Sequence, residues 1–579
     1  MARQAASTPA GLDRFLAKPL PPDVLAAKKE AVHRGRLLVH ATCVANGIVP
    51  DTIATVYGNS SPLLLCIELL KREGQNFGGH GTVDRDCDEA LKLLMERVRT
   101  HVAGTFGSLI ADGASLKDAK AIAVLYSTHQ RRVKQPVLLS VVFPDPLDES
   151  GDVATYDYAA AAADIKAAAA TVGIDISKQC PCLMGDNVSF NNAVATELGI
   201  DRGRCMPHAL SLVAKHATKH LPLFKELIQD ASAVISAGGT SKRAAELRSP
   251  AFNLNPNRMK MYDNRFASSV DVALYRLENF AAVQRWHTTS ALLPRPEEDD
   301  SDSDCGPDDT RRASRLSKSA ATAYNHRFAK LCLSIVSELF RDLPAFVSEL
   351  SADDLRKIRP DIIAALNTFY FMIREASTET GAKAVIESAL IHSTGNDSEV
   401  TAALRRDALA TFLQPVRDAA AAALEKYDRH ITPMHFLLER RFVYDPRCRP
   451  PTKTIADLDV EFFGCLPGQH NLRIISQYQL YSSTWEPTED SVCPVDYWTN
   501  KLSLWRDLAT VALYWLECPT SSVAAERVFA IMRAAFTTRR EGMSHVHLAR
   551  ELLFRVNRPL LEELLTETCD LVRTLSCSR

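Results

Sequence analysis

The spacing of apolar positions changes twice along the chain and marks out four stretches. From about residue 22 to 100 it is helical. Leu25, Ala26, Val32, Leu37, Leu38, Ala41 and Val44 share one face, and 63–70 and 90–98 supply two further amphipathic segments. This N-terminal helical region, 1–104, is either an independent module or a brace for the rest of the chain. At Thr105 the pattern shortens to apolar runs of strand length: 106–112, which ends on the acid Asp112, then 121–126 and 136–143. An alanine-rich helix is predicted over 158–171 and a fourth strand over 180–184. That strand leads through Gly185, Asp186 and Asn187 into a helix over 189–198. A fifth strand over 203–206 and a helix over 208–220 complete the region 105–224. Three strands in succession, then alternating helices and strands, imply a mixed α/β sheet covered by helices.

Helical spacing returns over 225–494, most clearly at 271–283, 328–343, 355–375 and 401–427. The last stretch, 495–579, holds a helix over 502–516, another over 548–556 and a helical tail. Between them Pro519, Thr520, Ser521 and Ser522 form a helix-start signal. In the helix that begins near Ser522, Ala524, Val528, Ile531, Met532 and Ala535 share the buried face. Glu526 and Arg533 lie off it. A first-turn glutamate has a ready explanation as a partner of the helix dipole. The fold class expected is therefore α/β plus all-α.

Composition narrows the function classes. The 579 residues suffice for two or three domains, and 46% hydrophobic with 24% charged residues is ordinary for a globular protein. No run of about 18 apolar residues appears, and 1–16 lacks the apolar core of a secretory signal, so no membrane partner and an intracellular site are expected. The fourteen cysteines are scattered, without a Cys-x-x-Cys pair, and read as reduced thiols. The net charge of -2 conceals a tract of eight acids between Glu297 and Asp309; without it the remainder carries +6. Arg311, Arg312, Arg315 and Lys318 come directly after it. The tract 294–320 reads as a disordered loop with an acidic and a basic half, with an import signal or a nucleic-acid contact as the alternative.

Asp112 and Asp186 both fall at predicted strand ends beside small or polar residues. Carboxylates there can share magnesium or manganese, and two such ions can drive phosphoryl transfer. They can equally cap the adjoining turns.

Five segments together resemble the hAT superfamily of DNA transposases. Residues 518–557 are similar to its C-terminal signature, with Ser521-Ser522-Val-Ala-Ala-Glu526-Arg527-Val-Phe529-Ala530, then Arg539-Arg540, Leu552-Leu553-Phe554 and Asn557. Ala525 and Ala530 stand where the family has serine. Leu109-Ile-Ala-Asp112-Gly-Ala-Ser115 resembles its first aspartate segment, and Met184-Gly-Asp186-Asn187-Val-Ser189-Phe-Asn191 its second. Arg204-Cys205-Met-Pro-His208 resembles its Cys-x-x-His segment. Asn264-Arg265-Phe266 is similar to its Arg-Trp motif, with phenylalanine in place of tryptophan.

The resemblance implies a ribonuclease-H-like catalytic core interrupted by a large helical insertion, 225–494, and resumed at 495–579 with a C-terminal dimerisation region. It implies a catalytic, metal-binding triad of Asp112, Asp186 and Glu526, the first two 74 positions apart and the last two 340 apart. Bound Mg2+ or Mn2+ would support nicking at a transposon end, hairpin formation on flanking DNA and strand transfer, each an in-line displacement at phosphorus. His208 is expected near the scissile phosphate or as a satisfied core histidine. Phe266 stacks on a flipped base or is plain core. Arg265, Arg527, Arg539 and Arg540 are phosphate-contact candidates, and solvated helix charges account for the last two almost as well. Double-stranded DNA, a homo-oligomer of at least two subunits and a nuclear location follow from the same resemblance. Many family members also carry a BED zinc finger, for which this chain has no Cys-x-x-Cys. A domesticated descendant that binds DNA or proteins without cutting is the competing reading.

Overall fold

The computed structural model describes residues 21–46, 62–73, 75, 80–116, 119–130, 135–143, 157–186, 189–236, 240–259, 261, 268–292, 307–352, 355–395, 400–451, 471–535 and 544–577. The protein is mostly helical with a small mixed sheet of five strands: β1 (Ser108–Leu116), β2 (Ala119–Ser127), β3 (Val137–Val142), β4 (Cys182–Gly185) and β5 (Asp201–Arg204). The chain groups into two compact units. One is drawn from Met1–Cys180, Glu197–Ile200 and Ala524–Arg579, the other from Pro181–Thr196 and Asp201–Val523.

In the first unit β1 and β2 form an antiparallel hairpin from Ser108 opposite Ser127 to Leu116 opposite Ala119, and β2 pairs antiparallel with β3. Leu109, Val124, Tyr126 and Leu138 are buried to within about one percent. The helix Tyr158–Thr171 packs on β3 through an alanine face that includes Ala161, Ala162 and Ala169, with Ile165 at its centre. Asp157 starts this helix by accepting the Ala160 N–H at 2.8 Å. Gly173, at φ 77°, lets the chain turn away in a backbone region that favours glycine.

The N-terminal helices are a brace rather than a free module. Pro22–Asn46 packs against His80–Val102 and against the C-terminal helix Arg558–Cys577. Buried His40 meets Asp86 at 2.7 Å, and Arg36 meets the same carboxylate at 3.0 Å. Arg550 spans Asp84 and Asp88 at 2.7 and 2.6 Å.

In the second unit β4 and β5 run parallel, from Cys182 opposite Asp201 to Gly185 opposite Arg204. The helix Met206–Thr218 that comes after β5 lies along the long helix Ala402–His430. Around these, Ala329–Phe340, Ile362–Ala376 and Glu379–Thr394 bury an aromatic core in which Phe346 and Phe328 make edge contacts with Phe369 and Phe412, each at 5.8 Å.

Several expectations differ from the structure. The helix expected over 355–375 begins only at Ile362, after a 3-10 turn at Leu355–Lys357, and the fifth strand lies at Asp201–Arg204 rather than 203–206. β1 does not end at Asp112 but runs four residues farther, because pairing with β2 overrides the turn preference of Asp-Gly. The helix expected over 271–283 is two helices, Ser268–Glu278 and Phe280–Leu292. They break at Asn279, whose side-chain amide and N–H both bond the Tyr275 carbonyl at 2.9 and 3.1 Å. The tract expected to stay disordered to residue 320 is helical over Pro307–Tyr324. Burial of Ala320, Ala323 and Tyr324 outweighs its charged sequence; residues 293–306 lie outside the described residues.

Candidate functional site

In the first unit Asp112 occupies the middle of β1, opposite Ala123. Its neighbours Leu109, Ile110 and Ala111 are buried, and Asp112 itself is only 8% exposed. Its Oδ1 accepts the Gly113 N–H at 2.8 Å, a local bond that orients the carboxylate beside its own backbone.

The same unit receives Glu526. The helix Val523–Ala535 buries Ala524, Ala525, Val528, Phe529 and Met532; three of these are on the expected face, whereas Ala525 and Phe529 were not expected and Ile531 is only half-buried. Glu526 stands in the first turn, half-buried, with Arg527 exposed beside it. Thr520, Ser521 and Ser522, just before it, are buried as well, and Thr520 Oγ1 donates to the Leu350 carbonyl at 2.7 Å. Asn557, from the same C-terminal segment, donates to the Leu138 carbonyl and accepts the Leu138 N–H, each at 2.8 Å.

In the second unit β4 delivers Asp186 half-buried at its carboxyl end. Asn191, in the first turn of Ser189–Leu198, donates its amide to Asp186 Oδ1 at 2.7 Å, and the Arg202 guanidinium donates to the Asp186 carbonyl. His208 lies in the first turn of Met206–Thr218, within the electrostatic reach of Asp186. Burial pushes its pKa down, and the Asp186 charge opposes that shift. Lowered from 6.5, the ring is neutral at neutral pH, able to accept or pass on a proton.

Asp112 and Glu526 therefore belong to one unit, and Asp186 and His208 to the other. Arg265, Phe266, Arg539 and Arg540 lie outside the described residues. Carboxylate oxygens are the donors that magnesium and manganese take. Among the described residues no group of three or more His, Cys, Asp or Glu side chains is arranged to hold a metal ion. Also among them, no helix is long and apolar enough to cross a membrane. Among the described residues eleven cysteines stand outside any disulfide, ten of them buried.

Sequence reasoning missed Arg202, which no motif singled out, and His430, which ends a 29-residue helix. Burial and the neighbouring Arg204, Arg429, Lys426 and His208 push the His430 ring down to about 4. Its position 222 residues after His208 left no local signal. No protein-family model and no curated protein matches this chain.

Proposed function

We propose that this chain is a DNA transposase of the hAT kind, with a ribonuclease-H-like core, that cleaves and joins DNA by in-line displacement at phosphorus. The observation that carries the reading is the return of the chain. After the whole second unit, the unit that contains β1 and Asp112 resumes at Ala524, two residues before Glu526. That is the layout expected when a helical insertion separates an aspartate-bearing strand from a glutamate-bearing helix. Asp186 at the end of β4, steadied by Asn191, and neutral His208 near it add a second carboxylate carried by a strand, with a proton-transfer group.

In this reading Asp112, Asp186 and Glu526 are the catalytic carboxylates. His208 exchanges a proton with the attacking or leaving oxygen, and Arg527 meets the DNA backbone. Bound magnesium or manganese would supply the Lewis-acid part of the chemistry. A homodimer and a nuclear location belong to the same proposal.

The test incubates purified protein with linear DNA carrying the terminal repeats of its element, with magnesium, with manganese and with a chelator. Nicks and hairpins that require metal and fall by at least about a thousandfold in Asp112→Asn, Asp186→Asn and Glu526→Gln are expected. DNA binding without cleavage under either metal would reject the catalytic reading in favour of a DNA-binding descendant.

A further inference from the structure

Cations crowd one place in the second unit. Arg204 ends β5; its guanidinium donates to the carbonyl of Arg429 and its N–H meets Met434 Sδ at 3.0 Å. The side chain thus reaches the last turn of Ala402–His430, which carries Arg429 and His430. Two residues after Arg204 begins the helix Met206–Thr218, which packs along Ala402–His430; its Met206 N–H donates to the Thr520 carbonyl at 3.0 Å, and Pro207 has no N–H to offer. His430 is 8% exposed, and its Nδ1 has no hydrogen-bond partner among the described residues. Burial leaves that nitrogen without water. The nearby acids are engaged: Glu425 holds Lys426 at 2.8 Å, and Asp428 accepts from Thr432 at 3.4 Å.

A helix C-terminus by itself accounts for Arg429 and for Arg204 bonding a terminal carbonyl. It does not account for a buried imidazole nitrogen with no partner among the described residues, within the electrostatic reach of Arg204 and Arg429. An anion does. It would complete the His430 hydrogen bond and relieve the repulsion between Arg204 and Arg429.

We infer that Arg204, Arg429 and His430 form a binding site for a phosphate group. Resting on the function proposed above, that group is a backbone phosphodiester of DNA. The guanidinium groups supply charge-assisted bonds, and His430 donates from Nδ1 in the corresponding tautomer.

Histidine-selective carbon NMR of the full chain, titrated with inorganic phosphate, tests the site itself. The His430 signal should shift and saturate, and Arg204→Gln or Arg429→Gln should remove the shift. Arg429 is exposed, so its variant tests the site even where Arg204→Gln folds poorly. A fluorescent duplex of about 20 base pairs tests the source of the phosphate. Arg204→Gln and His430→Gln should each weaken binding roughly tenfold at low salt, and Arg204→Gln should lower the salt slope by about one. Lys383→Gln, on a distant exposed ion pair, should change neither. A phosphate shift with unchanged duplex affinity keeps the site and removes DNA as its ligand. No His430 shift at about 50 mM phosphate, with duplex affinity unchanged in both variants, overturns the proposal.

Discussion

Asn557 shows how one side chain can stand in for a strand. Its amide both donates to and accepts from the backbone of Leu138 in β3, at 2.8 Å each way, and the residue is 2% exposed. Removing it leaves a buried N–H and a buried carbonyl without partners. Asn557→Ala is therefore expected to lower stability by about 2–4 kcal/mol, read as a fall in the urea midpoint at unchanged slope. Asn557 was legible as part of a C-terminal motif, but its role was not, since its partner lies 419 positions earlier. Asp112 shows the converse. Its place in a strand was legible from the apolar run before it, while Asp-Gly suggested a turn that the β1–β2 ladder does not make.

At the scale of elements, the π-helical segment Lys225–Asp230 illustrates a local irregularity secured from outside. Its Leu227 carbonyl accepts from Arg276 and, at 3.0 Å, from Tyr324 Oη. Arg276, fully buried, also donates to the Met259 carbonyl and, at 3.0 Å, to Ser232 Oγ. One guanidinium thus ties the helical run 225–236 to Met259 by their carbonyl and hydroxyl oxygens. Arg276→Ala should cost roughly 3–5 kcal/mol, because it opens a cavity and strands those acceptors. Thermal unfolding with and without the substitution checks it; a loss under about 1 kcal/mol would show that the acceptors find other donors. Helix existence in this region followed from apolar spacing, but helix breaks did not. Asn279 ends a helix by a side-chain bond to the backbone, which period alone does not register.

For the whole molecule, histidine burial sets a pH dependence. His40, His287, His430 and His435 all have pKa values pushed below 6.5, with burial the first cause in each. Their neutral forms fit the fold, whereas the unfolded chain protonates them freely below 6.5. The stability they contribute is therefore present above about pH 6.5 and is lost as pH falls toward their folded values. For His430, with a folded value of about 4, that loss is on the order of 2 kcal/mol by about pH 5. Urea unfolding at about pH 7.5 and about pH 5 should show the decline, and His430→Gln should remove its share. A stability equal at both pH values would contradict the burial of these rings.

What the sequence determined by itself was everything carried by near neighbours along the chain. Apolar period placed the helices Tyr158–Thr171 and Ser189–Leu198 and the strand triplet β1–β3, because burying one face requires a fixed repeat. Local motifs singled out Asp112, Asp186, His208 and Glu526 as residues in need of an explanation. Tertiary structure decided which of these share a unit, that the N-terminal helices brace the C-terminal ones, and that charged 307–324 is helical. It also brought Arg204 to the turn that ends in His430, more than two hundred positions away. The reason is physical: burial and long-range hydrogen bonds depend on which surfaces meet after the chain has turned back on itself, and no window of sequence contains both partners.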